Sequence, residues 1–173
     1  MDTKKAREQI FRHLDGMVTV PVGLALYHKG ILTTILDQKR ITLDQLSEQF
    51  SANKGYLNVA CRVLASQGFL EYTVDNTKEQ ITLAANAHTA YFVDSIDWYR
   101  LVEPLTKEYN VEEFMGSEAK EHHEVFALID LFVEKKKEVQ SEDTIGYQLM
   151  KHVEGYLMAP MIVKLGMSGM FHK

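Results

Sequence analysis

The sequence predicts a mainly α fold: a winged helix-turn-helix with a small β-hairpin wing, followed by a helical extension. Three observations predict it. Apolar residues recur at helical spacing up to Gly68 and then switch to strand spacing for one hairpin. Helical stripes return beyond the hairpin. Residues 10–32 and 149–171 also align as two copies of one helical segment without a gap. His13 falls on His152, Gly16 on Gly155, Pro21 on Pro160, Leu26 on Leu165 and Gly30 on Gly169, every pair 139 residues apart. Most other aligned positions stay apolar, and Asp15 matches Glu154 as Arg12 matches Lys151.

The elements follow in order. Residues 3–14 read as a short helix, with Ile10, Phe11 and Leu14 on one side. A long apolar helix over about 17–37 comes next, leaving a turn between Leu14 and Met17. Pro21 lies near its start, where a missing N–H costs least. Gly23 and Gly30 inside it suggest close backbone approach, because glycine otherwise costs about 1 kcal/mol against alanine in a helix. Thr42 and Gln45 form a capping box for a short helix with Leu43, Leu46 and Phe50 on its apolar side. Ser51 or Asn53 caps the next helix, whose buried stripe is Leu57, Ala60, Cys61 and Leu64. Gly68 suits the position after a helix end.

Phe69 to Val74, a polar turn over 75–79 and Gln80 to Leu83 give the wing. Trp98, Leu101, Val102 and Leu105 keep helical spacing, with Pro104 as a kink or break. Val125, Leu128, Ile129 and Phe132 mark a helix of about 118–139 that ends in three lysines. Residues 142–173 should repeat the helix pair of 3–37. The expected divisions are a winged-helix domain over 1–90, a helical extension over 91–140 and the start of a second copy over 141–173. Such a chain is expected to belong to something larger or to complete its fold with another chain.

Composition narrows the function. The 173 residues are 46% hydrophobic and 25% charged, which is globular and not disordered. A net charge of −5 argues against a dedicated nucleic-acid binder. The single cysteine, Cys61, excludes an internal disulfide framework and fits a reducing, cytoplasmic setting. No apolar run is long enough for a signal peptide core or a membrane span.

A winged helix invites a DNA reading. The recognition helix, about 54–67, would offer Lys54, Asn58, Arg62 and Gln67 to a groove. Yet Lys39, Arg40, Lys54, Arg62 and Lys78 are balanced by Asp44, Glu48, Glu71, Asp75 and Glu79, whereas DNA binders neutralise several phosphates with unopposed cations. The more ordinary role for this helix is packing against protein. Glu121, His122, His123 and Glu124 lack the i, i+4 histidine spacing of a helical zinc site, so they read as a solvated face. His13 and His152 suit capping or packing at the turn. Cys61 reads as a buried, inert thiol. There is no phosphate-binding loop and no nucleophile elbow, so no catalytic, cofactor-binding or metal residue is assigned. Met158, Met161, Leu165 and Met170 on the last helix are the expected interface, and Leu165→Asp or Met161→Asp should disturb association. Trp98, Tyr99 and the methionines could instead line a small-molecule site.

Val20 to Ala85 resembles the N-terminal winged-helix region of class I S-adenosylmethionine-dependent methyltransferases of the small-molecule O-methyltransferase type. The matching residues are Gly30-Ile31-Leu32, Ile41 to Ser47, Tyr56-Leu57, Arg62 to Leu70 and the wing closing on Ile81-Thr82-Leu83. His152 to Tyr156, Ala159-Pro160 and Leu165 to Lys173 look like the lead-in to methyltransferase domains of polyketide synthases. The resemblance implies a non-catalytic lid or dimerisation domain. Its partner would be a methyltransferase catalytic core or a second copy in a homodimer, and no cofactor would be held by this chain. The alternative is a dimeric winged-helix regulator that reads DNA with Lys54, Asn58 and Arg62.

Overall fold

A computed structural model describes residues 3–108, 123–139, 141 and 144–167. It is mainly helical, with one three-stranded antiparallel sheet. The chain divides into two compact units. One comprises Met1–Val20 with Asp97–Lys173, and the other Pro21–Ile96. The boundaries therefore fall after Val20 and Ile96, where the sequence placed them after 90 and 140.

Helix α1 (Thr3–His28) runs unbroken through the expected turn and contributes to both units. The expected turn between Leu14 and Met17 is replaced by one at Gly30, which the sequence put inside the long helix. Gly16 sits inside the helix, and its missing side chain is used for packing (below). Gly30 makes the turn instead: its φ of 74° is a left-handed conformation that glycine adopts at no steric cost. The chain bends by 72° there between α1 and α2 (Ile31–Gln38).

The winged unit is built from α2, β1 (Arg40–Thr42), α3 (Leu43–Gln49), α4 (Lys54–Ser66), β2 (Glu71–Asp75), β3 (Gln80–Ala84) and α5 (Ala87–Asp94). Ile31, Leu32 and Ile35 bury one face of α2. Thr42 ends β1 and caps α3: its hydroxyl accepts from Gln45 N at 3.2 Å, and Gln45 Oε1 accepts from Thr42 N at 3.0 Å. Asn53, rather than Ser51, caps α4 by accepting from Tyr56 N at 3.1 Å. The end of α4 is a Schellman motif. Phe69 N donates to Leu64 O, Gly68 N donates to Ala65 O (both 2.9 Å), and Gly68 has φ 79°.

The hairpin β2–β3 is joined by a third strand the sequence did not show. β1 pairs with β3, Ile41 opposite Leu83, giving the order β1-β3-β2. Three residues carry too short a pattern to be read alone. The turn is held by Asp75, whose Oδ1 accepts from Thr77 N at 3.0 Å and Thr77 Oγ1 at 2.6 Å. Helix α5 locks this unit through a second capping box, Asn86 with Thr89. Thr89 Oγ1 donates to Phe69 O at 2.6 Å, and Asn86 Nδ2 donates to Gly68 O at 3.1 Å. Phe92 stacks on Phe69 with ring centres 4.4 Å apart. The core holds Leu43, Leu46, Leu57, Cys61, Leu64, Phe69, Leu83 and Phe92, all buried. Each large aliphatic or aromatic side chain among them contributes about 1.5–3 kcal/mol.

The other unit contains the start of α1, then α6 (Asp97–Arg100), α7 (Glu103–Glu108), α8 (His123–Lys136) and α9 (Ile145–Met167). Pro104 does not kink a helix; it lies in the first turn of α7, where a proline is tolerated. The expected helix over 118–139 is described from His123, and residues 118–122 lie outside the described residues. α9 is one helix through Pro160, as α1 is through Pro21, so neither copy breaks just before the long helix where the sequence suggested it; residues 3–37 are still two helices, divided at Gly30. Trp98, Tyr99, Val102, Phe132, Leu149, Met150, Val153 and Leu157 are buried here. Trp98 meets Phe132 edge-on, and the Lys135 ammonium lies 5.1 Å from the Trp98 ring centre. Among the described residues no single helix is long and apolar enough to cross a membrane.

Candidate functional site

The recognition helix of the winged unit is α4, and its three expected DNA contacts are placed differently from one another. Lys54 at the first turn is ion-paired with Asp44 of α3. Asn58 is turned to the wing, where its Oδ1 accepts from the Tyr72 hydroxyl at 2.6 Å. Arg62 is exposed. The solvent side of α4 also carries Tyr56, 80% exposed, and Val59, 59% exposed. Two of the three groups are thus engaged within the unit, and large apolar surface stands beside the third.

The repeat builds the second candidate site, the crossing of α1 and α9. Here the two copies meet reciprocally. A Cβ on Gly16 would overlap the backbone of His152, lying 2.6 Å from its carbonyl carbon and closer still to its oxygen. A Cβ on Gly155 would overlap the backbone of His13 in the same way, 2.5 Å from its carbonyl carbon. Only glycine allows two helical backbones to approach so closely, which explains why both copies carry it.

The two histidines of the crossing differ in surroundings. His13 is partly exposed, and its Nε2 lies 3.2 Å from Glu154 Oε2. Glu154 also accepts from Lys151 Nζ at 2.6 Å and from Lys136 Nζ of α8 at 3.1 Å. Burial pushes the Glu154 carboxyl up, but the two lysines outweigh it and hold the group below its ordinary range. His152 is fully buried, and its Nδ1 and the Tyr99 hydroxyl share a hydrogen bond of 2.6 Å. Burial first, and the Arg12 charge second, lower its pKa to about 4, so the ring is neutral at pH 7. Burial raises the Tyr99 phenol well above its usual value. Both histidines lie inside helices, so neither caps a turn; His152 packs in the core, while His13 pairs with Glu154 and stays partly exposed. The sequence did not single out Tyr99 as the partner of His152, nor Glu154 as a hub. The acid retained at Asp15 and Glu154 was the available signal for the latter.

The other expected sites are less assembled. Met158 is 45% exposed. Met161 and Leu165 lie on α9, but their side chains, like Met170 entirely, lie outside the described residues, as do Glu121 and His122. Trp98 and Tyr99 are core side chains. Beside them runs an open groove of about 660 Å³, lined by Arg100, Leu101, Pro104, Leu128, Leu131 and Lys135 among others. Burial pushes the Cys61 thiol up to about 12, which leaves it protonated and inert at neutral pH. Among the described residues no group of three or more histidine, cysteine, aspartate or glutamate side chains could hold a metal ion.

No curated protein matches the chain closely enough to count as a relative. The chain is similar to the AprA N-terminal domain family over residues 6–72, less than half of its length, from the first copy of the repeat through α4 to the start of the wing.

Proposed function

We propose that this chain is a non-catalytic module that works by packing against protein. Specifically, it is the N-terminal lid or dimerisation domain of an S-adenosylmethionine-dependent methyltransferase in natural-product, polyketide-type biosynthesis. The observation that supports protein packing over DNA reading is the state of α4. Lys54 is neutralised by Asp44, Asn58 is bonded to Tyr72, and Tyr56 and Val59 are exposed apolar groups. A groove-reading helix needs its polar groups directed outward and several unopposed cations along the backbone. The methyltransferase setting rests on the resemblance of Val20 to Ala85 and of the segment from His152. A cytoplasmic location belongs to the same reading.

The observation that favours the DNA-binding regulator instead is Arg62, exposed on the solvent side of α4. Titration with a fluorescent duplex pool separates the two. The packing module should show no binding at low salt. Binding that weakens steeply as salt rises, and again in Arg62→Ala, would establish the regulator. A second measurement addresses catalysis: S-adenosylmethionine should leave the melting temperature of this chain unchanged, and a ligand-induced rise would refute a non-catalytic role.

A further inference from the structure

A groove of about 430 Å³ crosses one face of the winged unit's sheet, from Arg40 of β1 to Lys78 in the β2–β3 turn. The strand register builds its floor. Thr42 pairs with Thr82 and Thr82 with Thr73, so three threonines stand in one row on the face away from Ile41 and Leu83. Asp75 and Gln80 form the next pair but one along, and Gln45 of α3 also lines the groove. The fold uses up the acceptors here. Gln45 Oε1 accepts from Thr42 N and from Thr42 Oγ1, both at 3.0 Å, which fixes the orientation of the amide and leaves Nε2 with no partner among the described residues. Thr42 Oγ1 in turn accepts from Gln45 N. Asp75 Oδ1 is taken by Thr77 N, Thr77 Oγ1 and Lys78 N, and its Oδ2 lies 3.8 Å from Lys78 Nζ. The donors are left over. Among the described residues the side chains of Arg40, Thr73, Gln80 and Thr82 make no hydrogen bond or ion pair.

We propose that this groove binds a small oxyanion, a carboxylate or phosphate group carried on a compact polar molecule, with Arg40 as the charged anchor and Gln45 Nε2, Thr73 and Thr82 as neutral donors. A guanidinium presents paired N–H groups that match two oxygens of one such group. Lys78 offsets Asp75, so Arg40 is the charge without a counterpart. The volume is that of a small-molecule site. No aromatic ring lines the groove and its lining is almost wholly polar, so the body of the ligand is polar too. Acids at the rim disfavour a nucleic-acid strand: Glu71 lies on the same face as Thr73, and Glu79 lies in the adjoining turn. The site is independent of the packing role above, because α4 meets the sheet from behind, where Asn58 bonds to Tyr72.

NMR titration of the full chain with inorganic phosphate and with acetate, each against sodium chloride at equal ionic strength, tests this. The expected result is saturable shifts of the backbone amides at Arg40, Gln45, Thr73, Gln80 and Thr82, half-complete at about 1–10 mM. Arg40→Gln should weaken binding about tenfold or more, and Thr82→Val about threefold. Both side chains lie on the polar face of the sheet and bond to nothing else among the described residues, so both variants should keep the wild-type melting temperature. Whichever of phosphate and acetate saturates at the lower concentration identifies the group the ligand carries. Shifts that do not saturate by about 100 mM, or that chloride reproduces, overturn the proposal. Half-saturation unchanged in both variants overturns it as well, since the anion would then be held elsewhere.

Discussion

Gly16 and Gly155 hold equivalent places in the two copies of one segment, and each lies against the backbone of the histidine three residues before the other. The repeat is thus a pair of helices in reciprocal contact, with the smallest residue at the point of closest approach. Gly16→Ala and Gly155→Ala should each destabilise the chain by about 3 kcal/mol, because the added methyl meets main chain that cannot rotate away. In an open helix the same change would stabilise by about 1 kcal/mol. Urea unfolding of the two variants checks the sign, and a gain in stability would contradict the close approach.

The buried His152 makes stability depend on pH. Its pKa is about 4 in the folded chain and 6.5 when unfolded. Between these values the unfolded state binds the extra proton. The contribution is therefore complete above pH 6.5 and is lost as pH falls towards 4. It amounts to at most about 3 kcal/mol. Urea midpoints measured from pH 7.5 down to 4 should fall for the wild type and fall less for His152→Leu. Glu154, whose pKa is lowered in the fold, adds a further loss below its ordinary range near pH 4.5.

Asn86 is the hinge pin of the winged unit. It caps α5 and also bonds to the Gly68 carbonyl at the end of α4. Asn86→Ala should cost about 1–2 kcal/mol, read as a lower melting temperature. A neutral result would mean that Thr89 and the Phe69–Phe92 stack hold the corner without it.

Cys61 should resist thiol reagents in the native chain and react at once in urea, because burial keeps it protonated. Rapid native labelling would show that α4 opens readily.

The winged unit was largely legible in the sequence because its signals are local. A threonine and a glutamine three residues apart make a capping box wherever they sit, and a glycine after an apolar stripe ends a helix. What escaped was non-local. Strand β1 exists only because Ile41 finds Leu83, more than forty positions away. Gly16 and Gly30 show the same limit. The sequence put Gly30 at a close approach inside a helix and gave Gly16 no packing role, whereas the fold turns at Gly30 and makes its close approach at Gly16. The Asp44 charge beside Lys54 and the Tyr72 hydroxyl on Asn58, which decide how α4 can be used, also come from other elements.

The sequence by itself determined the mainly helical class, the hairpin, the caps and the existence of a duplicated segment, since each is written in spacing or in direct comparison of one stretch with another. Only the tertiary structure decided how the two copies pack. The two copies cross at their glycines; α9 buries Met150, Val153, Leu157 and His152, whereas the matching Phe11, Leu14 and Val18 of α1 are exposed and His13 is partly so. Similar local patterns acquire different environments because burial depends on which neighbours the chain brings to each face, and that is a property of the folded whole.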